Sequence, residues 1–554
     1  MTIIHSERAD VTAPELSDGL TKGEADRLSF NGGGQRAAIT MTGRDSTGGT
    51  RMQERETELD RRAVLGAGVA AIAATLFPRA ASGQARRAPL QPAKGPLAAQ
   101  VLGTDQWNKP ALRLARRITF GLSAGEAQRA STLGYKGYLE SQLNHTSLND
   151  SAVEAVVAAN WPMIAQPASA IAQANQGTLY QQLTDSTVYR QVNSPRQLYE
   201  RMVEFWNDHF TIYFTKVGFL QITDQRDVIR RHALGNFGTL LKASAHSPAM
   251  LAYLDNSVNR NGSPNENYAR EIMELHSMGV DGGYSQTDVA ELSRCLTGWT
   301  FNAAGAFVFT ASLHDFGAKT VLGTAIPARA TNSGQGQQDM ETMLDVLIAH
   351  PSTARYIAKK LLMFFVRPDP SAAQITAVAD AYTKTGGDIK AMLRVVFTES
   401  WVTAAPAKFK RPHHLMISAL RGSGATIPAT STSLSNLRTL LTQMGQVPYD
   451  WETPDGYPDR VEYWSGNILP RWNAMSSISS ASAGQYIVSD TAFTRYGSTS
   501  TAILTRMDEM VFGGEMSQRT RDELTTYLTA GTINSTRIRE TLALALSSSA
   551  FQWY

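Results

Sequence analysis

The sequence predicts a mainly α protein, one large multi-helical domain over residues 105–554, with a small β-hairpin just after a central helix pair. Three observations predict it. Apolar residues recur at three- and four-residue spacing through most of this span, which is the helical period. Cap signals precede several of these segments: Ser123 with Glu126, Ser247-Pro248, Ser263-Pro264 with Glu266, and Ser285 with Asp288. Strand-like patterning is confined to one short stretch, Thr297–Phe301 and Ala306–Thr310, on either side of Asn302-Ala-Ala-Gly305.

In chain order, residues 1–51 are rich in Gly, Ser, Thr and Arg without periodicity. They read either as a disordered extension or as a mis-assigned start, because Met52 directly precedes a complete export signal. Residues 52–85 carry that signal. Asp60-Arg61-Arg62 is a twin-arginine motif, the apolar run Ala63–Phe77 is short for a membrane span, and Ala80-Ala-Ser-Gly83 offers a cleavage site. The expectation is export by the twin-arginine route to the periplasm or beyond, with no stable transmembrane segment after cleavage. Residues 86–104 are a Pro/Ala-rich linker.

Trp107–Ile118 reads as the first helix, and the Ala/Gln/Ser/Asn-rich stretch 146–194 as a poorly patterned helical insert. Residues 195–216 form a strong helix, with Tyr199, Met202, Val203, Trp206 and Phe210 sharing a face. His209 flanks that face, as a core-edge residue or as a functional one.

The central stretch runs from Asn265 to Trp299. Ser263 and Glu266 should cap a helix that continues to Gly279, whose missing Cβ permits a left-handed close. Glu266, Arg270 and Glu274 step by four residues, placing a cation between two anions. Asp281-Gly-Gly283 then turns the chain into a second helix from Ser285. His276 invites a functional reading, yet Glu271 lies about 140° and Glu274 about 160° from it on the wheel, so neither shares a metal with it from a regular helix. It is either a buried histidine bonded to a backbone carbonyl or a group that recruits partners from elsewhere. Glu271 and Glu274 should face the interior or a cleft, with Arg270 or Arg294 as partners.

After the hairpin, His314-Asp315 sits in a loop and offers nitrogen and carboxylate ligands to a divalent metal, or else closes a surface turn. Amphipathic helices follow at 337–349, 352–366, 371–384 and 388–400. Val447–Trp472 is an aromatic-rich loop in which Trp451, Tyr457, Tyr463 and Trp464 stand among Asp450, Asp455 and Asp459. Such rings and carboxylates either bind sugar rings or pin the loop to the core.

Several runs resemble the bacterial domain-of-unknown-function 1800 family. They are NENYAREIMELHSMGVDGGYSQTDVAELSRCLTGWTF, Phe205-Trp-Asn-Asp-His-Phe210, Ser247–Asp255, His314–Lys319, Lys410-Arg-Pro412 and Thr453–Asp459. The resemblance implies a large, exported, mostly helical bacterial protein without an established activity. It also implies a partner, an exported protein resembling alkaline phosphatases and sulfatases.

A net charge of +3 over 554 residues, with no basic stripe, argues against nucleic-acid binding. A single cysteine, Cys295, rules out an internal disulfide and reads as a buried thiol. No nucleophile elbow, Walker loop or His-Glu-x-x-His run is present. Two functions remain. One is a metal-assisted enzyme acting on an extracytoplasmic polymer or glycan through Glu271, Glu274, His276 and His209, with His314 and Asp315 as metal ligands. The other is a non-catalytic protein that binds a glycan or the phosphatase-like neighbour. The enzyme reading expects His209, the glutamates and the His314-Asp315 loop to meet at one cleft.

Overall fold

Helices carry nearly all of the architecture. The computed structural model describes residues 107–428, 434–480 and 485–554. The N-terminal extension, the twin-arginine segment and the 86–104 linker lie outside the described residues.

Helix α1 (Pro110–Ile118) opens with proline in its first turn, and α2 (Ala124–Leu143) is capped by the Ser123 hydroxyl accepting from the Glu126 N–H. The 146–194 insert folds into α3 (Ser151–Asn160) and α4 (Gln176–Asn193), joined by short turns around a fully buried Trp161. Helix α5 (Gln197–His209) is buried on nearly every face. A π-helical segment, Asp224–Arg230, leads to α6 (Phe237–Ala245). The central pair is α7 (Asn267–Glu274) and α8 (Gln286–Cys295). Two small antiparallel hairpins follow. In the first, β1 (Trp299–Phe301) sets Trp299 opposite Phe309 of β2 (Phe307–Phe309). The second pairs β3 (Lys319–Val321) with β4 (Thr324–Ile326). Then come α9 (Gln338–Ala349), α10 (Pro351–Phe365), α11 (Ala372–Thr385), α12 (Ile389–Val396) and α13 (Pro412–Gly422). The chain closes with α14 (Ser435–Gln443), α15 (Ile468–Ser480), α16 (Ser500–Met507), α17 (Gln518–Thr529) and α18 (Ser535–Ser547).

Two large apolar cores, with a third small cluster around Leu179, Leu183, Phe214 and Tyr449, organise the described helices. The larger joins α1, α2 and α5–α12. The second is built by α13–α18 together with side chains from α3 and α4. Each fully buried Leu or Phe contributes about 1.5–3 kcal/mol of burial, so both cores are strongly held. One junction between them is polar: Arg411, at the start of α13, meets the acidic face of α5.

The central helix departs from the sequence expectation at both ends. Ser263 does not cap it. It bridges back to Arg260 in a tight turn, while Asn259 and Asn265 side chains accept the N–H groups of Asn265 and Asn267. These local amides satisfy the backbone before a serine cap is needed. At the other end, the His276 N–H bonds the Glu271 carbonyl and the Met278 N–H bonds the Met273 carbonyl. The last turn therefore widens to five-residue bonds after Glu274. Gly279, at φ +83°, lies against the Tyr356 ring where no Cβ fits. The second helix starts as expected, with a full capping box between Ser285 and Asp288. Cys295 is buried, and burial pushes its thiol up to about 12. Among the described residues no helix is long and apolar enough to cross a membrane.

Candidate functional site

Helix α5 carries an acidic stripe, Glu200, Glu204 and Asp208, at four-residue steps on one face. Each is answered by arginine. Glu200 binds Arg230 at 2.7 Å. Glu204 binds Arg201 on its own helix and, at 2.6 Å, the Arg411 guanidinium just ahead of α13. The other arm of Arg411 donates to Asp208. One guanidinium thus bridges two carboxylates that share a helix face.

Above them the 447–460 loop forms a roof. The Phe214 N–H donates to the Tyr449 carbonyl, Tyr449 and Thr187 hydroxyls pair at 2.9 Å, and the Tyr253 hydroxyl donates to the Glu452 carbonyl at 2.7 Å. Gly456 sits at φ +80°, and a Cβ there would overlap the Asp208 carbonyl oxygen. Beneath the roof lies a chamber of about 50 Å³, lined by Glu204, Asp208, Gln191, Gln221, His413 and Tyr457 among others. It has room for a water molecule or two and no sugar ring.

The two carboxylates of the chamber are driven apart in protonation. Burial works against ionisation of Glu204, but Arg201 and Arg411 overcome it and hold its pKa below the usual glutamate value. Burial dominates at Asp208. Arg411 opposes it and the Glu204 charge reinforces it, leaving the pKa at about 6. His413 is lowered to about 4 by burial and is neutral at pH 7. Its Nε2 faces the Gln191 Oε1 at 2.6 Å and donates to it, so the lone pair falls on Nδ1, which has no partner among the described residues. A carboxylic acid able to donate near neutrality and an imidazole able to accept therefore line one small polar space, the pattern of divided acid and base roles.

The four residues singled out for catalysis lie outside the chamber, beside its Asp208 wall. His209 and His276 meet, with ring centroids 6.2 Å apart, and His209 Nε2 donates to the His276 carbonyl. The expected carbonyl bond therefore belongs to His209, not to His276. Both His276 ring nitrogens are buried without a partner among the described residues, and burial, with Lys360 adding, lowers its pKa to about 3. Lys360 makes no ion pair among the described residues. Burial lowers its pKa while Asp208 and Asp455 oppose the shift. Glu271 and Glu274 are half-buried, as expected, but their partners differ. Arg270 turns to Glu266 and Gln286, and Arg294 to Glu291 and Asp315. Only half of the predicted charge ladder forms. Glu271 has its pKa raised by burial and by Glu274, and Tyr284 hydrogen-bonds Glu274. So Glu271, Glu274, His209 and His276 gather around Tyr356 and Lys360, with Asp455 of the roof loop nearby.

His314 and Asp315 do not join them. His314 Nδ1 bonds the Thr297 carbonyl at 2.8 Å and Nε2 faces Asp339 at 3.2 Å. Asp315 is gripped by Arg294 and caps its own turn through the Gly317 N–H. The pair is thus fully used in closing the loop. Among the described residues no group of three or more His, Cys, Asp or Glu side chains is placed to hold a metal ion. The centre of this corner is Asp339, fully buried and bonded by His314, Lys319 and Arg329. Burial opposes its ionisation, but those three donors win and hold its pKa at about 2. Because the folded value lies below the unfolded one, this stability is present above about pH 4 and lost as pH falls toward 2. Asp339→Asn should cost about 3–5 kcal/mol at pH 7, since it strands buried cations. Urea denaturation at pH 7 and pH 3 checks it, the deficit shrinking at the lower pH.

The aromatic loop is partly a pin and partly a surface. Trp464 is buried and donates to the Pro458 carbonyl, and the Tyr457 hydroxyl is bonded to both backbone groups of Val447. Trp451 packs 4.8 Å from Tyr457 and ties to Asp455, while Tyr463 is 53% exposed beside Trp464. Trp451 and Tyr457 face two spaces, the inner chamber and an outer groove of about 390 Å³ that also takes in Asp450, Glu452 and Thr453.

A family model described as Protein of unknown function (DUF1800) matches residues 113–553. The chain belongs to the DUF1800 family. No curated protein and no solved structure matches it.

In this DUF1800 chain the separate motif runs converge. Phe205–Phe210 supplies Asp208 and His209, Lys410–Pro412 supplies Arg411, and Thr453–Asp459 supplies Asp455, Gly456 and Tyr457. Sequence reasoning passed over Glu204, Asp208, Arg411, His413 and Lys360. Two signals were available: the four-residue acidic stripe on an otherwise apolar helix, and the dense Lys-Phe-Lys-Arg-Pro-His-His run at 408–414. Neither shows by itself that the two segments meet.

Proposed function

We propose that this DUF1800 protein is an exported acid–base hydrolase of a glycan or similar hydroxyl-rich polymer, with its reaction centre in the chamber between α5 and α13. The observation that carries the reading is the pair Glu204 and Asp208, bridged by Arg411 yet divided in protonation, under a roof of Trp451 and Tyr457 that also walls an open groove. The outer groove suits a sugar ring stacked on an aromatic face. In the step, the water oxygen bonds to the substrate carbon as the carbon–oxygen link breaks. Asp208 gives its proton to the leaving oxygen, His413 Nδ1 takes the proton of the water, and the proton then returns to Asp208 through solvent. Glu204 and the arginines fix the local field. Direct contact requires the 451–457 segment to move aside, because the chamber admits only water. Incubation with a panel of polysaccharides, scored by new reducing ends against the Asp208→Asn variant, tests this.

The small chamber favours a second reading, in which the outer groove binds a glycan, or the phosphatase- or sulfatase-like neighbour, without turnover. Polysaccharide retention without new reducing ends would select it. The export half of the proposal has its own test. Replacing Arg61 and Arg62 by lysine should leave the protein in the cytoplasm, scored by fractionation. Undiminished export of the double variant would remove the twin-arginine route.

A further inference from the structure

A second polar recess lies away from the chamber, where the π-helical segment passes the junction of α6 with the next short helix and the tip of the first hairpin. It is a groove of about 630 Å³ that takes in Asp224, Arg231, His246, Ser247 and Phe307. Asp224 forms part of its wall and is 3% exposed. The Ser247 hydroxyl, at 2.6 Å, is its only hydrogen-bond donor among the described residues. The Tyr268 hydroxyl, within reach of the Asp224 charge, is buried and has no hydrogen-bond partner among the described residues.

Apart from the exposed Arg231, the other charged groups of the groove are engaged. Arg226 is closed on Asp227 at 2.7 Å and on the Ile164 and Gln166 carbonyls. His246 is held by Glu341 at 2.8 Å and by the Lys242 carbonyl. Its ring stands 4.7 Å from Phe307, so the two form an aromatic wall. Arg231 is exposed, and His232 beside it has its pKa lowered by burial and by that arginine. Asp224 is therefore the groove's one carboxylate without a cation among the described residues. A buried carboxylate left in this state is costly. Burial, opposed by Ser247 and reinforced by Asp227, raises its pKa to about 7.

We propose that this groove is a binding site for a primary ammonium group, seated on Asp224 and Ser247, with the body of the ligand along the His246–Phe307 wall. The site does not rest on the hydrolase reading. An amino sugar and a small alkylamine carry the same group, and the test separates them.

Calorimetric titration of the full chain at pH 7 with glucosamine, N-acetylglucosamine and ethanolamine is the experiment. Glucosamine should bind at least tenfold more tightly than its acetylated form, which has the same ring without the charge. Ethanolamine matching glucosamine would assign recognition to the amine alone, and weaker ethanolamine binding would assign a share to the ring. Both outcomes support the site. Binding should also release protons, because an ammonium favours ionised Asp224. Titration with ethanolamine, whose amine is fully protonated at pH 7, in buffers of different ionisation heat reads that release. Asp224→Asn should weaken glucosamine binding at least tenfold and abolish the release. Equal affinity for the free and acetylated sugars, or undetectable binding of every amine, overturns the proposal. That comparison stands on the unmodified protein even if the variant fails to fold.

Discussion

Asp208→Asn is expected to lower polysaccharide hydrolysis by about 10²–10⁴-fold, the usual contribution of a positioned acid, while leaving the fold at least as stable. The two halves of this expectation come from one fact. The native environment disfavours the charged form of Asp208, whose pKa stands at about 6. A carboxylate raised above its unfolded value weakens the native state as pH climbs from about 4 to 6. Above that window the ionised side chain costs the native state about 3 kcal/mol. Asparagine removes the penalty and keeps a group that can bond Arg411, so melting at pH 7 should hold or rise, and at pH 4 the variant and wild type should converge. Glu204→Gln should behave oppositely, because that side chain is held ionised by Arg201 and Arg411. A structural role for Asp208 would show as lost stability in step with lost activity.

Arg411→Met should reduce stability by about 3–5 kcal/mol, the cost of leaving buried charge without its partner. Arg411 is almost fully buried and binds Glu204 and Asp208 at once, and the Asp459 charge also favours its cationic form. Methionine fills similar volume, so the loss is electrostatic. The deficit should be larger at pH 8 than at pH 5, because Asp208 can accept a proton below about pH 6 and shed part of its need for the arginine. Urea midpoints at both values measure it. A loss under about 1 kcal/mol, independent of pH, would mean that the junction of α5 with the start of α13 does not depend on this ion network.

The fold was largely legible, and the site much less so. Periodicity and caps placed α8 at Ser285, α9–α11 within a residue or two, and the Trp299–Phe309 hairpin, because those signals are local, whereas the 388–400 helix ends at Val396, a separate short helix following over Glu399–Thr403. The helix at Asn267 was missed at its start, where nearby asparagine amides did the work assigned to Ser263. Half-burial of Glu271 and Glu274 followed from the hairpin's central position, but the partners of Arg270 and Arg294 did not, since these depend on which neighbours arrive. The chamber itself joins α5 to residues some 200 positions later, Arg411 and Glu204 being 207 apart in sequence. No helical wheel displays that meeting. His314 and Asp315 show the converse. Their composition suggested ligands, and their neighbours Thr297, Asp339 and Arg294 turn them inward to hold the loop.

Glu204 and Asp208 share an arginine but not a protonation state. Infrared difference spectroscopy of the carboxyl groups across pH 3–8, wild type against Asp208→Asn and Glu204→Gln, tests it most directly. The band lost in Asp208→Asn should titrate near pH 6. The band lost in Glu204→Gln should stay in its ionised form down to below the ordinary glutamate range. If both bands titrate together in the ordinary range near pH 4, the chamber has no divided acid and base.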